Sequence, residues 1–366
     1  MVPKCLLLSK LIFFKKKGER MVKYVIKRII LALITTFIIL SLTFILVKLL
    51  PFTKPIGNDA ARMAYYDHEA FLGYVIRSSE PLTGYGTPLD VIPSGKTSTY
   101  YYQTPVMTQY FNWLGNIFTR WDWGVSVKIQ PNVSASIIIG ERIGVSISLN
   151  VISVVISVPL GIALGIWAAL KKNKPTDHII STLIMVFISV PSFVLISVLM
   201  LYLGYKTGWL PTQWPKEFAP TSEKVAGYII PVICLSLGSI CGYCRFTRAE
   251  LCEVMESEYL LLARTKGLRK SQAITRHALR NAFVPILPSI LAEFIGILGG
   301  SMILESLYGI NGIGGLFVKA LNSQDYNILF VDMAIFTTIS LIAGVFLDIS
   351  YGFIDHRLRM GAGKNG

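Results

Sequence analysis

Charged residues are scarce in this sequence. Asp, Glu, Lys and Arg together make up 15% of the 366 residues, whereas hydrophobic residues make up 53%. A soluble domain typically carries about 25% charged residues, so this composition argues against a water-soluble globular protein. The apolar residues also occur in blocks of roughly 20, which is the length of helix that crosses the ~30 Å hydrocarbon core of a bilayer. We therefore predict an all-α polytopic membrane protein.

A disulfide framework and a metal-binding motif are both missing. The five cysteines are odd in number and lie mostly in or beside one apolar block, unlike the cysteines of a disulfide-rich domain. Cys241 and Cys244 have C-x-x-C spacing, but no second pair accompanies them. We interpret both as small packing residues. Because the sequence has no His-rich or Cys-rich cluster, we predict no metal site.

A nucleotide-hydrolysing motif is missing as well. The stretch SGKTS at 94–98 is similar to part of a phosphate-binding loop, but the first glycine of G-x-x-x-x-G-K-T would fall at Asp90. The sequence therefore contains no complete Walker A motif. We predict that the chain is not an enzyme and binds no cofactor itself.

Acidic residues are outnumbered by basic ones, which has two interpretations. The formal net charge of +14 is compatible with nucleic-acid binding or with the cytoplasmic face of a membrane protein. Lys and Arg cluster at the ends of the apolar blocks, as the membrane interpretation requires. We therefore predict no nucleic-acid partner.

The apolar blocks predict six transmembrane helices, at about 24–50, 145–170, 179–202, 225–243, 284–307 and 328–353. Lys and Arg precede the first block and follow the second, fourth and sixth, which places both termini in the cytoplasm. The predicted parts are a cytoplasmic N-terminal extension (1–23, with Met21 as an alternative start), the first transmembrane helix (24–50), an extracytoplasmic insertion (51–143), a five-helix core (144–353) that contains a cytoplasmic loop (245–283), and a cytoplasmic tail (354–366).

Two features inside the blocks predict local geometry. Gly161 and Gly165 have the G-x-x-x-G spacing that allows two helices to approach closely. Pro191 lies within the third block, where we predict a kink supported by neighbouring helices.

The cytoplasmic loop is rich in helix-forming and basic residues. Gly267 interrupts the helix formers and suits a left-handed turn, so we predict two short helices joined there, with Ser271 capping the second. Leu260 and Ile274 are among the predicted apolar anchors. An amphipathic helix resting on anionic membrane lipid would also explain the composition. That interpretation alone does not require the break at Gly267.

Carboxylates within apolar blocks are candidates for function. Glu293 is the deepest, and it either pairs inside the helix bundle or lines a substrate path. We group it with Gly299 and Gly300 as candidates for a translocation path. Glu305, Asp332 and Asp348 are expected near the membrane interfaces.

The long insertion is rich in Tyr, Trp, Pro and Gly. Its aromatic residues are typical of an amphipathic docking surface, but packing of the insertion on its own helix bundle would account for them equally well. The residues alone leave both interpretations open.

The cytoplasmic loop resembles the coupling loop of permease subunits of ATP-binding-cassette importers. That family's pattern is E-A-A, three residues, Gly, nine residues, then I-x-L-P, and this chain matches it at Ala263, Gly267 and Leu279. Its loop reads EYLLLARTKG and then RHALRNAFVP, which is similar to the oligopeptide, dipeptide and nickel subgroup. It departs from the general pattern at Leu261, Leu262, His277 and Arg280. Most of the rest of the chain, including ESLYGINGIGGLFVKALNSQDYNILF, also resembles this subgroup.

The resemblance implies the type I importer permease fold in a bacterial plasma membrane. It implies a second permease subunit, two ATPase subunits that bind ATP and Mg²⁺, and an extracytoplasmic substrate-binding protein. The residues that it implies for coupling to the ATPase are Glu258, Tyr259, Ala263, Arg264, Lys266, Gly267, Leu268, His277, Leu279, Arg280 and Asn281.

The sequence is compatible with several functions. Peptides are the expected substrate by resemblance, but nickel chelates and other small solutes use similar permeases. The subgroup often has L-P-G-D-P after the first helix, where this chain has LPFTKPIG. An ion-driven secondary transporter would use Glu293 as a proton site and would show inverted repeats. The sequence contains no convincing inverted repeat. A membrane scaffold would tolerate the loop without needing it.

Overall fold

The computed structural model describes residues 3–50, 52, 54–94, 97–296 and 301–354 of the chain. Most of the described residues are helical. The first helices are α1 (Pro3–Leu49), α2 (Asp59–Phe71), α3 (Val106–Arg120), α4 (Ala135–Leu170), α5 (Pro175–Ser189), α6 (Ser192–Leu199) and α7 (Thr221–Met255). The remaining helices are α8 (Glu258–Thr265), α9 (Lys270–Ala273), α10 (Leu279–Gly296), α11 (Met302–Tyr308), α12 (Ile313–Ser323) and α13 (Tyr326–Ile354). Two π-helical turns, Met200–Lys206 and Ile274–Ala278, extend α6 and α9.

Four stretches within the described helices are long and apolar enough to cross a membrane, and a bent pair raises the number to five. The four are Val25–Leu49, Ala135–Leu170, Thr221–Met255 and Tyr326–Leu347. The predicted fifth span is represented by α10, but residues 297–300 that would complete it lie outside the described part of the chain. The helical membrane architecture is therefore confirmed, while the count of six spans stays a prediction.

The predicted third span is broken. Its two halves, Pro175–Ser189 and Ser192–Lys206, meet at an angle of 95°. Val190 is extended, with φ −86° and ψ 118°, because a residue that precedes proline is disfavoured in the helical region. The kink predicted at Pro191 is thus a full interruption of the helix.

Helices α4 and α7 pack closely against each other through small residues. A Cβ atom at Gly161 would lie 2.6 Å from Cβ of Tyr243, and one at Gly165 would lie 2.6 Å from Cβ of Thr247. Side chains at either glycine would force the helices apart. The close approach predicted from the G-x-x-x-G spacing is confirmed.

The insertion contains a small sheet that the all-helical prediction did not include. Strands β1 (Val75–Ser78), β2 (Asp90–Ser94) and β3 (Thr97–Gln103) form an antiparallel sheet in the order β1-β3-β2. Tyr66 of α2 stacks on Tyr101 of β3 with ring centroids 4.5 Å apart, and both side chains are fully buried. The tyrosines therefore build a compact core inside the insertion.

The insertion is fastened to the helix bundle at two places. Asp325, between α12 and α13, accepts hydrogen bonds from the backbone amides of Val127, Lys128 and Ile129. Elsewhere Trp113 of α3 stacks on Phe44 of α1 at 4.8 Å and meets Phe330 of α13 edge-on. These contacts support the interpretation in which the insertion packs on its own bundle.

Candidate functional site: the loop between α7 and α10

The loop after α7 forms two short helices with a sharp turn between them. Helix α8 ends at Thr265, and Gly267 has φ +92°, a left-handed conformation that side chains disfavour. The amide of Gly267 donates to the carbonyl of Arg264 over 3.0 Å, which closes the end of the helix. The helix–glycine–helix geometry predicted from the sequence is confirmed.

The cap of the second short helix differs from the prediction. Arg269 is the extended residue that precedes α9, and Ser271 lies inside the helix. Oε1 of Gln272 accepts a hydrogen bond from the Arg269 amide over 3.3 Å. The predicted Ser271 cap is therefore wrong, because the chain enters the helix two residues earlier and the Gln272 side chain reaches back to the first amide.

One face of the loop is packed against the ends of the long helices. Leu260 of α8 is 4% exposed and Ile274 is 6% exposed, as expected for the predicted anchors. They belong to one apolar cluster with residues from the ends of α4 and α7 and the start of α10. Its other members are Ala169, Leu251, Cys252, Ala273, Ala278 and Ala282. A movement of α8 therefore displaces side chains that contact three long helices.

The opposite face of the loop is exposed and combines apolar and basic side chains. Leu261 and Leu262 are 62% and 57% exposed, and Tyr259 is 40% exposed. Among the predicted coupling residues, the exposed ones are Glu258, Tyr259, Arg264, Lys266, Gly267, His277, Arg280 and Asn281. The half-buried ones are Ala263, Leu268 and Leu279. Most of the predicted residues thus lie where another protein can reach them.

Two ion pairs beside the loop were missed by the sequence analysis. Arg248 of α7 donates two hydrogen bonds to Asp177 of α5, a carboxylate that is 1% exposed. Lys172, in the turn between α4 and α5, pairs with Glu256 just before α8, and this hydrogen bond raises the pKa of Lys172. A carboxylate directly after a basic turn, at 177, was the signal that could have suggested the first pair.

The candidate path residues are only partly described. Glu293 lies on α10, where its carboxylate is close enough to interact electrostatically with the hydroxyl of Tyr243 on α7. The Tyr243 hydroxyl also lies 3.2 Å from the carbonyl oxygen of Ser289. This supports the pairing of Glu293 inside the bundle. Gly299 and Gly300 lie outside the described residues.

Glu305 and Asp332 are buried inside the protein, and their expected place near the membrane interfaces stays a prediction. Glu305 is 2% exposed and accepts hydrogen bonds from the Ser146 hydroxyl at 2.8 Å and the Gly315 amide at 2.9 Å. Asp332 is fully buried, and within the described residues neither of its carboxylate oxygens has a hydrogen-bond partner.

The spanning helices and the loop packed on their ends are those of a multi-pass membrane protein. The chain belongs to the family of binding-protein-dependent transport system inner membrane components, whose model matches residues 161–360. It is a permease subunit of an ATP-binding-cassette importer, as the resemblance implied.

Two curated relatives and one solved structure illustrate the similarity. The dipeptide transport system permease protein DppB of Lactococcus lactis subsp. cremoris (strain MG1363) is 31% identical over 93% of this chain and 100% of its own length. The oligopeptide transport system permease protein OppB of Escherichia coli (strain K12) is 29% identical, again over 93% of this chain and 100% of its own length. A chain in the crystal structure of an amino acid ABC transporter with histidines is 19% identical, with a TM-score of 0.46, over 60% of this chain and 94% of that one.

Proposed function

We propose that this chain forms half of the membrane pathway of a peptide importer in a bacterial plasma membrane. A second permease subunit supplies the other half, two ATPase subunits bind and hydrolyse ATP with Mg²⁺, and a substrate-binding protein delivers the peptide from outside. Both termini and the α8–α9 loop lie in the cytoplasm in this proposal, and the insertion lies on the opposite side. The basic residues around the loop support this orientation.

The observation that carries the proposal is the two-faced loop. Its inner face contacts α4, α7 and α10 through Leu260 and Ile274. Its outer face, with Tyr259, Leu261 and Leu262, is open to another protein. When a bound protein displaces the outer face of the α8–α9 loop, the movement is transmitted to the spanning helices, because packed helices adopt discrete arrangements rather than deforming gradually.

Apolar contacts should dominate the affinity of the loop for the ATPase. An exposed ion pair contributes only about 0.2–1 kcal/mol, which limits what Arg264, Lys266 or Arg280 can add. Leu261 and Leu262 present more apolar surface, and buried apolar anchors carry most of the binding energy in protein interfaces. Ala263, with its small side chain, permits close approach of the ATPase surface.

Gly267 provides the experiment that tests the coupling role. Nothing in the described part of this chain lies within 4 Å of a Cβ placed on Gly267, so within the permease a substitution there acts through the backbone conformation. In the complete complex reconstituted in vesicles, Gly267→Val should leave the rate of ATP hydrolysis unchanged, while peptide uptake should fall by about tenfold or more. Gly267→Asn is the matched control, because asparagine tolerates a left-handed conformation, and it should retain most of the uptake. Normal uptake by Gly267→Val would refute the coupling role.

Peptides are proposed as the substrate because the relatives named above are dipeptide and oligopeptide permeases. Uptake of a radiolabelled di- or oligopeptide by the reconstituted complex, compared with uptake of ⁶³Ni²⁺, tests this choice. Peptide uptake that depends on ATP supports the proposal. Uptake of nickel without uptake of peptide would overturn it.

A further inference from the structure

Helix α3 of the insertion has one face of large apolar side chains that the described part of the chain leaves uncovered. Met107, Phe111 and Phe118 are 57%, 64% and 79% exposed. Their spacing of four and seven residues places them on one side of an α-helix. Trp121, at which the helix ends, is exposed as well. An apolar stripe of this kind marks a surface that contacts something other than water.

The opposite face of α3 is polar and is held by the insertion itself. The side-chain amides of Gln109, Asn112 and Asn116 donate hydrogen bonds of 2.7, 3.0 and 3.0 Å to backbone carbonyl oxygens of the insertion. Gln109 and Asn116 are buried. These bonds fix the rotation of the helix, so the apolar stripe stays on the outside.

Helix α3 is attached to α1 within the stretch that is long enough to cross the membrane. The hydroxyls of Tyr110 and Ser41 are hydrogen-bonded at 2.8 Å, and Trp113 stacks on Phe44. The spanning stretch of 25 residues ends at Leu49, so Ser41 lies about 12 Å of helix before that end. The stretch is about 37 Å long and exceeds the ~30 Å hydrocarbon core by only about 7 Å. Even if the whole excess protrudes at this end, Ser41 lies within the hydrocarbon core.

The apolar stripe continues the exposed apolar surface of α1. The ring of Phe111 lies beside the ring of Tyr110, with centroids 5.5 Å apart, and Tyr110 is hydrogen-bonded to Ser41. Leu42 and Leu46 of the spanning stretch are themselves more than half exposed. Helix α3 has 15 residues, about 22 Å, which is too short to cross the core. A short helix with one apolar face lies instead in the plane of the interface, with that face about 5–10 Å deep.

The end of α3 has side chains that are typical of the headgroup boundary. The guanidinium of Arg120 lies over the exposed ring of Phe71, 4.5 Å from its centroid. An arginine at such a boundary packs its apolar stem on hydrocarbon and keeps its charge in water. Trp121 follows directly, and tryptophan is enriched at membrane–water interfaces.

The composition of α3 favours lipid over a soluble protein as the occupant of the stripe. Arg120 is the one charged residue in the helix. The interface of a soluble protein has a polar rim and direct hydrogen bonds around its apolar centre. Acyl chains require neither, so they match a face made of methionine and phenylalanine.

We propose that α3 is an interfacial helix that inserts Met107, Phe111 and Phe118 among lipid acyl chains, in the leaflet where α1 ends. In the orientation proposed above this is the outer leaflet. The contact fixes the height of the insertion over the bilayer, and it does not depend on which solute is transported. The competing occupants are the second permease subunit and the substrate-binding protein.

The test measures the surroundings of a nitroxide amino acid that replaces Phe111 or Phe118 in the full complex in lipid vesicles. Electron paramagnetic resonance records its collisions with oxygen, which concentrates in hydrocarbon, and with a water-soluble nickel chelate. The control is the same label at Tyr85, an exposed residue in the turn between β1 and β2 of the insertion. The ratio of oxygen to chelate collisions should be about tenfold higher at positions 111 and 118 than at position 85, because a polar complex is excluded from hydrocarbon.

Three results of this measurement would overturn the inference. A ratio equal to that at position 85 would show that the stripe faces water. Few collisions with either reagent would assign the stripe to the second permease subunit. Loss of the oxygen collisions when the binding protein is added would assign the stripe to that protein.

A pair of variants at Phe111 gives an independent measurement without the label. In vesicles without binding protein, amide hydrogen exchange in α3 should become about tenfold faster in Phe111→Glu, since a charge at a lipid-facing position is costly. It should stay within twofold of wild type in Phe111→Leu, which keeps the position apolar. Glutamate is a good helix former, so the effect does not come from helix propensity. Unchanged exchange in Phe111→Glu would contradict the lipid contact.

Discussion

Arg248 of α7 holds Asp177 of α5 through two hydrogen bonds, of 2.6 Å from Nε to Oδ1 and 2.7 Å from Nη2 to Oδ2. The Asn173 amide and the Ser181 hydroxyl also donate to this carboxylate. Asp177 is therefore fully satisfied at 1% exposure. The pair ties the first half of the broken span to α7, the helix that leads into α8.

The Asp177–Arg248 pair should stabilise the arrangement that carries movement from the loop to the broken span. Asp177→Asn leaves the Arg248 guanidinium without its charged partner, so the free energy of unfolding should fall by about 1–3 kcal/mol. The midpoint of thermal unfolding of the purified complex measures this change. Peptide uptake per ATP hydrolysed should fall as well, because α5 is no longer held to α7.

Lys172 provides the control for this prediction, because its pair with Glu256 is exposed and joins the α4–α5 turn to the end of α7. Lys172→Gln should leave both the unfolding midpoint and the uptake per ATP within experimental error of wild type, since exposed ion pairs contribute little. A loss in Lys172→Gln as large as that in Asp177→Asn would show that the buried pair has no special role.

Gly161→Ala should destabilise the contact between α4 and α7. The added Cβ would lie 2.6 Å from Cβ of Tyr243 and 2.8 Å from the carbonyl oxygen of Ile240, and neither atom is the end of a flexible side chain. Overpacking of this kind costs about 1–3 kcal/mol. Gly144→Ala in the same helix is the control, because nothing lies within 4 Å of its added Cβ. Equal unfolding midpoints for the two variants would contradict the packing account.

Glu69 of α2 predicts a pH dependence in the stability of the insertion. It is 4% exposed, and burial raises its pKa, although the nearby Lys48 partly opposes this shift. A raised pKa means that the folded state holds the proton more tightly than the unfolded state. Stability should therefore fall as the pH rises from the unfolded value of about 4.3 through the raised pKa, and level off above it.

Hydrogen exchange of α2 and β1 in the full chain measures this pH dependence. Glu69→Gln cannot lose a proton, so the difference in protection between wild type and this variant should change with pH in the direction given above. A constant difference between pH 4 and pH 8 would show that the Glu69 carboxyl does not titrate with folding.

The parts of the fold that depend on residues close together in the chain could be predicted from the sequence. Hydrophobic length identified the spanning helices, and the left-handed preference of glycine identified the turn at Gly267. The sheet in the insertion was missed because its strands are short and pair distant residues, such as Val75 with Gln103. The pairing of Asp177 with Arg248 was missed for the same reason, since 71 residues separate them.

In the candidate site, too, features set by the local sequence were predicted and features set by distant contacts were not. The identity of the exposed basic residues and the break at Gly267 followed from local pattern, whereas the cap at Arg269 depended on where the chain enters the helix. The burial of Glu305 also depended on distant partners, because its hydrogen bonds come from Ser146 and Gly315. Sequence periodicity carries no information about such contacts.

Site-specific photo-crosslinking from the loop shows whether the exposed face of α8 contacts an ATPase subunit. A photoreactive amino acid replaces Leu261, which is 62% exposed, or Leu260, which is 4% exposed, in the assembled and transporting complex. We expect position 261 to crosslink to an ATPase subunit in a manner that changes with ATP, and position 260 to crosslink only within this chain. Crosslinks from position 261 that reach lipid or this chain alone would contradict the coupling role of the loop.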